Sequence, residues 1–161
     1  MLKLFVVSIA LLIAGAAATN VKQCKNGQPF PLSVDVIGCD EVPCDVVKGT
    51  TALMNVHFVG TKDNIRNLTA VVHATTIGIT VPYDLPPEVA NVCDNLLYGA
   101  NCPIYKTEDV VYSFKFFIES HYPEISVSVQ VSLEDETGES IACFVCNVKV
   151  RKGFTTTYLL E

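Results

Sequence analysis

Regular alternation of apolar and polar residues constrains this chain more than any other feature of the sequence. Six segments carry an apolar residue at every second position, which is typical of a strand with one buried side and one side in water. No segment shows a convincing helical period, so we predict an all-β protein in which two antiparallel sheets pack face to face as a β-sandwich. The predicted strands cover residues 32–36, 52–58, 68–74, 112–118, 125–133 and 142–150.

Two connecting segments carry strong turn signals. Residues 134–139 are charged and contain Gly138, which predicts a hairpin loop with a positive φ at the glycine. Residues 81–87 contain Pro82, Pro86 and Pro87. Because proline has no backbone N–H to donate to a neighbouring strand, we predict a loop at one edge or end of the sandwich there.

The N-terminal residues are typical of a secretion signal. A single positive charge at Lys3 precedes an apolar run at 4–13 and a stretch of small residues at 15–18. That run is too short to span a bilayer, so we predict a signal peptide at 1–18 and a secreted product without a membrane anchor. We predict one domain at 19–150 and a disordered tail at 151–161.

Seven cysteines in a secreted chain predict disulfide bonds. Cys39 and Cys44 lie five residues apart, and Cys93 and Cys102 lie nine apart. Local pairing within each of these two pairs is the simplest assumption.

Cys24 then needs a distant partner, and Cys143 and Cys146 are the candidates. On a strand these two positions point to opposite faces, and Cys146 shares the parity of Phe144 and Val148, which we take to be buried. Cys143 is therefore the predicted partner of Cys24, and Cys146 is predicted to be a buried free thiol.

No recognisable catalytic or metal site is evident. Cys143 and Cys146 form a C-x-x-C motif, but catalytic examples sit at a helix N-terminus, and this one lies in a strand pattern. A structural zinc site needs two such ligand clusters. His57, His73 and His121 belong to no catalytic motif. We therefore predict a protein that is not an enzyme and that has no metal and no cofactor.

Charge and modification signals narrow the set of partners. The formal net charge is −6 at pH 7, so the chain lacks the basic surface that nucleic acids and anionic membranes require. We expect a monomer that binds no nucleic acid. The sequence Asn67-Leu68-Thr69 is an N-glycosylation acceptor.

The inward-facing positions of the predicted strands are strongly apolar. They could simply fill a core, or they could enclose an apolar ligand held by burial. These residues are Val56, Phe58, Val72, Phe114, Phe116, Val127, Val129, Val131, Phe144 and Val148.

Several short motifs follow one another along the predicted mature chain: Cys24, Cys39, Cys44, VVKG at 46–49, AVVH at 70–73, VPY at 81–83, Cys93, NCPI at 101–104, YP at 122–123 and Cys143. In order and spacing they resemble the Niemann-Pick type C2 proteins of the ML lipid-recognition family, including arthropod members such as the group 2 mite allergens. The resemblance implies a seven-stranded immunoglobulin-like β-sandwich with disulfides Cys24–Cys143, Cys39–Cys44 and Cys93–Cys102. It also implies a lipid cavity between the sheets.

The resemblance places the mouth of that cavity at Tyr83, Ile118 and Tyr122. A neighbouring hydrophobic knob, used to pass sterol to a membrane partner, would correspond to Ile77, Ile79 and Val81, although Thr80 stands where such proteins have proline. The sterol-binding members carry tryptophan at the positions of Val131 and Phe144, and this chain has no tryptophan. A smaller Val131 could therefore enlarge the ligand space.

We expect a carrier that is secreted or resides in the lysosomal lumen. It would bind a sterol or fatty acid and transfer it with or without a membrane receptor. One alternative is an innate-immunity module that binds microbial lipids, but Asp84, Glu88, Glu119 and Glu124 near the mouth in sequence disfavour anionic lipids. A carrier of hydrophobic semiochemicals is a second alternative, and an adhesive sandwich without a lipid is a third.

Overall fold

The computed structural model describes residues 18–153. Most of the predicted signal peptide, residues 1–17, and residues 154–161 of the predicted tail lie outside the described residues. Within the described part, no helix is long and apolar enough to cross a membrane.

Two β-sheets form the described part of the chain. The strands are β1 (Lys22–Gln23), β2 (Ser33–Val36), β3 (Cys44–Val47), β4 (Thr51–Val59), β5 (Leu68–Thr76), β6 (Ile79–Tyr83), β7 (Asp109–Phe117), β8 (Ser126–Asp135) and β9 (Ser140–Arg151). In the larger sheet the strand order is β1-β9-β8-β5-β6, and β3 also pairs with β9. The smaller sheet has the order β2-β4-β7.

Helical structure is confined to short segments in the described residues. These are α1 (Pro87–Ala90) and the 3₁₀ turns Lys25–Gly27 and Cys93–Asn95. The predicted all-β sandwich is confirmed. Two details differ: the described residues form nine strands instead of about seven, and β3 runs parallel to β9.

The strands that the alternation does not predict are short. β1 and β3 span two and four residues, too few for alternation in the sequence to predict a strand, and each pairs with one part of β9. The sequence predicts a loop for the Pro-rich segment, but the first part of that segment belongs to β6. Pro82 is tolerated there because β6 is the edge strand of the larger sheet.

The long strands bury alternate residues, as their sequences predict. In the larger sheet, Val131 pairs with Val72 on one side and with Phe144 on the other, and all three side chains are buried. β8 and β9 are joined by the predicted charged turn, in which Gly138 has a φ of 80°. The inward residues of both sheets pack in one hydrophobic core.

Polar contacts fix the beginning and end of the described domain. Thr19 is buried, its N–H donates to the Val34 carbonyl at 2.8 Å, and its hydroxyl donates to the Cys39 carbonyl at 3.2 Å. At the other end β9 extends to Arg151, whose Nε donates to Asp45 Oδ1 at 2.8 Å. The ordered strand therefore runs one residue beyond the predicted domain limit of 150.

Candidate functional site

A cavity of about 320 Å³ lies between the two sheets at one end of the sandwich. No charged side chain contributes to its wall within the described residues. The wall is formed by Val46, Ala52, Met54, Val72, Ala74, Thr76, Val81, Tyr83, Phe114, Phe116, Ile118, Tyr122, Pro123, Ile125, Val127, Val129, Val148 and Val150.

The strand registers explain why the cavity lies at this end. Here the larger sheet contributes small side chains, with Ala74 paired to Val129, and Val127 paired to Val148. At the opposite end the bulky side chains of Phe58, Tyr112 and others are fully buried and fill the space between the sheets. The small side chains of the larger sheet therefore leave space opposite Phe114 and Phe116 of the smaller sheet, and the sandwich is hollow there.

Tyr83, Ile118 and Tyr122, where the resemblance places the mouth, all line the cavity. The hydroxyls of Tyr83 and Tyr122 are hydrogen-bonded to each other at 2.6 Å. The Tyr83 ring also packs edge-on against Phe116, with ring centroids 5.0 Å apart. The two tyrosines come from β6 and from the loop after β7, so their hydrogen bond joins the two sides of the mouth.

Ile118 is held in place by its backbone. Its N–H donates to the Thr50 carbonyl at 2.9 Å, and its own carbonyl accepts from the Gly49 N–H at 2.7 Å. Its side chain is 4% exposed and lies in the cavity wall. The residue therefore contributes a fixed apolar surface beside the two tyrosines.

Tyr122 is uncharged at physiological pH. Burial is the main cause that raises the pKa of Tyr122 well above its ordinary value of 10. The hydrogen bond with Tyr83 and the nearby Glu119 carboxylate raise it further. The mouth thus offers the phenol hydroxyls of Tyr83 and Tyr122 as hydrogen-bonding groups.

The predicted knob is a strongly exposed apolar hairpin next to the mouth. Ile77, Ile79 and Val81 are 95%, 66% and 50% exposed. Ile77 and Gly78 have φ values of 49° and 76°, the geometry of a two-residue turn between β5 and β6. Val81 belongs to both features, because it also lines the cavity.

Comparison with known proteins identifies this arrangement. A family model described as "ML domain" matches residues 18–150. The chain belongs to the ML-domain family. This confirms the resemblance found in the sequence.

The relatives of this ML-domain protein include two curated proteins of similar length. One is the mouse "NPC intracellular cholesterol transporter 2", which is 32% identical over 154 residues and matches 91% of this chain and 97% of the relative. The other is the "NPC intracellular cholesterol transporter 2 homolog a" of Drosophila melanogaster, which is 28% identical over 153 residues and matches 94% and 100% of the two chains.

Among solved structures, a Niemann-Pick type C2 protein from the Japanese carpenter ant superimposes with a TM-score of 0.71 at 20% sequence identity. The match covers 82% of this chain and 99% of the ant protein. This similarity supports the fold.

Four residues predicted to line the cavity lie elsewhere. Val56, Phe58, Val131 and Phe144 are at most 1% exposed and pack in the closed part of the core. They face inward as predicted, but they lie further along the strands than the cavity does. The expectation that a small Val131 enlarges the ligand space is therefore corrected: Val131 packs between its strand partners Val72 and Phe144.

Six of the predicted lining residues do border the cavity: Val72, Phe114, Phe116, Val127, Val129 and Val148. Tyr83, Ile118, Tyr122 and Val81 were also predicted and border it as well. Sequence reasoning missed the remaining eight wall residues, which are Val46, Ala52, Met54, Ala74, Thr76, Pro123, Ile125 and Val150. Ala52, Met54 and Ala74 lie on predicted strands with inward parity, so the alternation could have found them. Val46 lies on β3, and Pro123 lies in a loop, so no pattern pointed to either.

The cysteines pair as the sequence and the resemblance predict. The structure contains the disulfides Cys24–Cys143, Cys39–Cys44 and Cys93–Cys102. Cys146 is a buried free cysteine, and burial raises the pKa of its thiol to about 11. Because Cys143 is bonded to Cys24 and Cys146 faces the core, the C-x-x-C motif does not form a redox pair.

The histidines lie outside the cavity. His57 pairs with Asp109 on the outer face of the smaller sheet, His73 lies on β5 opposite Gln130, and His121 packs against Tyr122 at 4.9 Å between ring centroids. No group of metal-binding side chains occurs in residues 18–153.

The folded chain brings two lysines close to the acidic residues near the mouth. Lys48, from the turn before β4, forms an ion pair with Glu124 at 3.0 Å. Lys115 on β7 lines a groove beside the mouth together with Glu88 and Glu119. Sequence reasoning considered only the acidic residues near Tyr83 and Tyr122. Lys48 is distant from both tyrosines in the sequence, and Lys115 lies within the predicted strand 112–118.

Proposed function

We propose that this ML-domain protein is a secreted carrier that holds one sterol or fatty acid in the cavity between its sheets. The observation that carries the proposal is a cavity to whose wall residues 18–153 contribute no charged side chain, with two hydrogen-bonded tyrosines at its mouth. A volume of about 320 Å³ falls in the range of small-molecule sites.

The binding energy in such a cavity comes from the apolar body of the ligand. Removing 100 Å² of apolar surface from water contributes about 2.5 kcal/mol. A wall without charges selects weakly among headgroups, so sterols and fatty acids are both suitable ligands. The names of the mouse and fly relatives refer to cholesterol transport, which supports the sterol.

The mouth residues Tyr83, Ile118 and Tyr122 are proposed to control ligand entry. Their position at the opening and the hydrogen bond between the two tyrosines support this role. A microbial-lipid module would need cationic groups for lipid phosphates at the mouth. Lys48 is already paired with Glu124, and Lys115 beside the mouth is accompanied by Glu88 and Glu119. This charge distribution disfavours a lipid with several phosphates and favours the carrier.

A competition assay tests the proposal. Purified protein is loaded with a fluorescent sterol, which is then displaced by cholesterol, a free fatty acid or lipid A at two ionic strengths. We expect displacement by cholesterol or the fatty acid with little dependence on salt. Displacement by lipid A alone, stronger at low salt, would instead support the microbial-lipid function.

The knob of Ile77, Ile79 and Val81 is proposed to contact an acceptor membrane or a transfer receptor. Three adjacent exposed apolar side chains beside the mouth support this role. Ile77→Ser with Ile79→Ser should slow sterol transfer to acceptor vesicles and leave sterol affinity unchanged. Leu32→Ser is the control, because Leu32 is 58% exposed and lies before β2. Equal transfer rates in both variants would remove the knob from the transfer step.

Glycosylation of Asn67 is compatible with ligand exchange. Asn67 is exposed and immediately precedes β5, whereas the knob follows the other end of that strand. The strand separates them by roughly 26 Å. A glycan there would leave the mouth free, and digestion with an N-glycosidase should reduce the mass of the secreted protein but not that of Asn67→Gln.

A further inference from the structure

A second groove lies directly outside the mouth of the lipid cavity. It has a volume of about 320 Å³ and shares two wall residues, Tyr83 and Phe116, with the cavity. These two rings pack against each other at 5.0 Å between centroids. The cavity and the groove therefore adjoin at these two rings.

The groove differs from the cavity in its charge. Leu85, Pro86 and Val89 give it an apolar floor, but Lys115, Glu88 and Glu119 also line it. None of these three charged side chains forms an ion pair within residues 18–153, in contrast to Lys48, Lys62 and Arg151. Their charges are therefore available to a ligand.

The arrangement of one cation and two carboxylates restricts the ligand. A single anion would meet Lys115 but also both carboxylates, and an uncharged head could form no ion pair with any of them. A head that carries one negative and one positive group can pair with Lys115 and with Glu88 or Glu119 at the same time.

We propose that this groove binds the zwitterionic headgroup of a single-chain phospholipid whose acyl chain occupies the cavity. The inference rests on the proposed function, since it takes the cavity as the site of the chain. In this complex the phosphate pairs with Lys115, and the quaternary ammonium group lies against Glu88 and Glu119. Lysophosphatidylcholine has this chemistry.

The ion pairs are close to solvent, so each adds a modest amount to affinity. Exposed pairs of this kind together strengthen binding on the order of three- to tenfold, and added salt weakens them. The signature is therefore a preference for the zwitterionic head over an uncharged head on the same chain.

The test compares three lipids of one chain length, each below its critical micelle concentration: lysophosphatidylcholine, the monoacylglycerol and the free fatty acid. Each displaces a fluorescent fatty acid from the protein, and cholesterol is measured in parallel. We expect lysophosphatidylcholine to bind severalfold more tightly than the monoacylglycerol, and the difference to shrink at high salt.

Three variants locate the effect. Lys115→Glu should reduce the ratio of the two affinities to about one, whereas the same charge change at Lys106, near the opposite end of β7, should leave the ratio unchanged. Glu88→Gln with Glu119→Gln should shift the preference toward the fatty acid anion. A ratio near one in the unmodified protein, or a loss equal in Lys115→Glu and Lys106→Glu, would overturn the proposal.

The outcomes also separate this inference from the function on which it rests. If cholesterol and the monoacylglycerol bind but the zwitterion shows no advantage, only the headgroup site fails. If none of the lipids binds, the carrier function fails, and the headgroup site fails with it.

Discussion

The hydrogen bond between Tyr83 and Tyr122 should govern how fast a ligand leaves the cavity. The two hydroxyls are 2.6 Å apart and come from opposite sides of the mouth. Each ring is also held by another contact, Tyr83 by Phe116 and Tyr122 by His121. Phenylalanine at either position therefore removes the hydrogen bond and keeps the packed ring.

The size of the effect follows from the bond that is lost. A hydrogen bond of this kind contributes about 1 kcal/mol net, which corresponds to roughly fivefold in a rate at 25 °C. Tyr83→Phe and Tyr122→Phe should each accelerate ligand release by about that factor. Because either substitution already breaks the bond, the double variant should release ligand little faster than either single variant.

Stopped-flow fluorescence measures the release of a fluorescent fatty acid into excess vesicles. Tyr105→Phe is the control, because Tyr105 is 52% exposed and lies before β7, away from the mouth. Release rates that multiply in the double variant would show that the two hydroxyls act separately. Unchanged rates in all variants would show that the mouth opens elsewhere.

Three further predictions concern the buried thiol, a close backbone contact and the stability in acid. Thiol labelling should find one reactive cysteine only after unfolding, because Cys146 is buried and burial raises the pKa of its thiol to about 11; a disulfide mapped to Cys146 would refute this. Gly60→Ala should destabilise the fold by about 1–3 kcal/mol in urea unfolding, because the added Cβ collides with the Tyr105 carbonyl oxygen; an unchanged midpoint would refute the collision. Burial alone would raise the pKa of Asp135, but the hydrogen bonds from Lys62 and from the turn outweigh burial and lower this pKa below 3.8. The free energy of unfolding should therefore decrease below about pH 4, and it should decrease less steeply in Asp135→Asn. An equal pH dependence in both proteins would contradict this prediction.

The sequence predicted which face of each long strand is buried, because that depends only on parity. The pairing of Cys24 with Cys143, and the burial of Cys146, followed from the same rule. Parity does not tell how far along the strand the sheets separate. Val127 and Val131 have the same parity on β8, yet Val127 lines the cavity and Val131 lies in the closed core.

Contacts between distant segments were the other source of error. β3 has four residues and acquires its place only by pairing with β9, which lies about a hundred residues later in the chain. The ion pair of Lys48 with Glu124 and the groove around Lys115 depend in the same way on the assembled sandwich. A local pattern contains no signal for such contacts.

The central claim is that a lipid occupies the cavity between the sheets, and native mass spectrometry of the purified protein tests it most directly. Ala74 lines the cavity, and Thr75, the next residue of β5, points to the outer face. We expect the unmodified protein and Thr75→Phe to carry or accept one sterol or fatty acid per chain. Ala74→Phe, which fills the cavity, should remain folded and lose the lipid. Equal lipid occupancy in a folded Ala74→Phe variant, or no lipid bound by the unmodified protein, would contradict the claim.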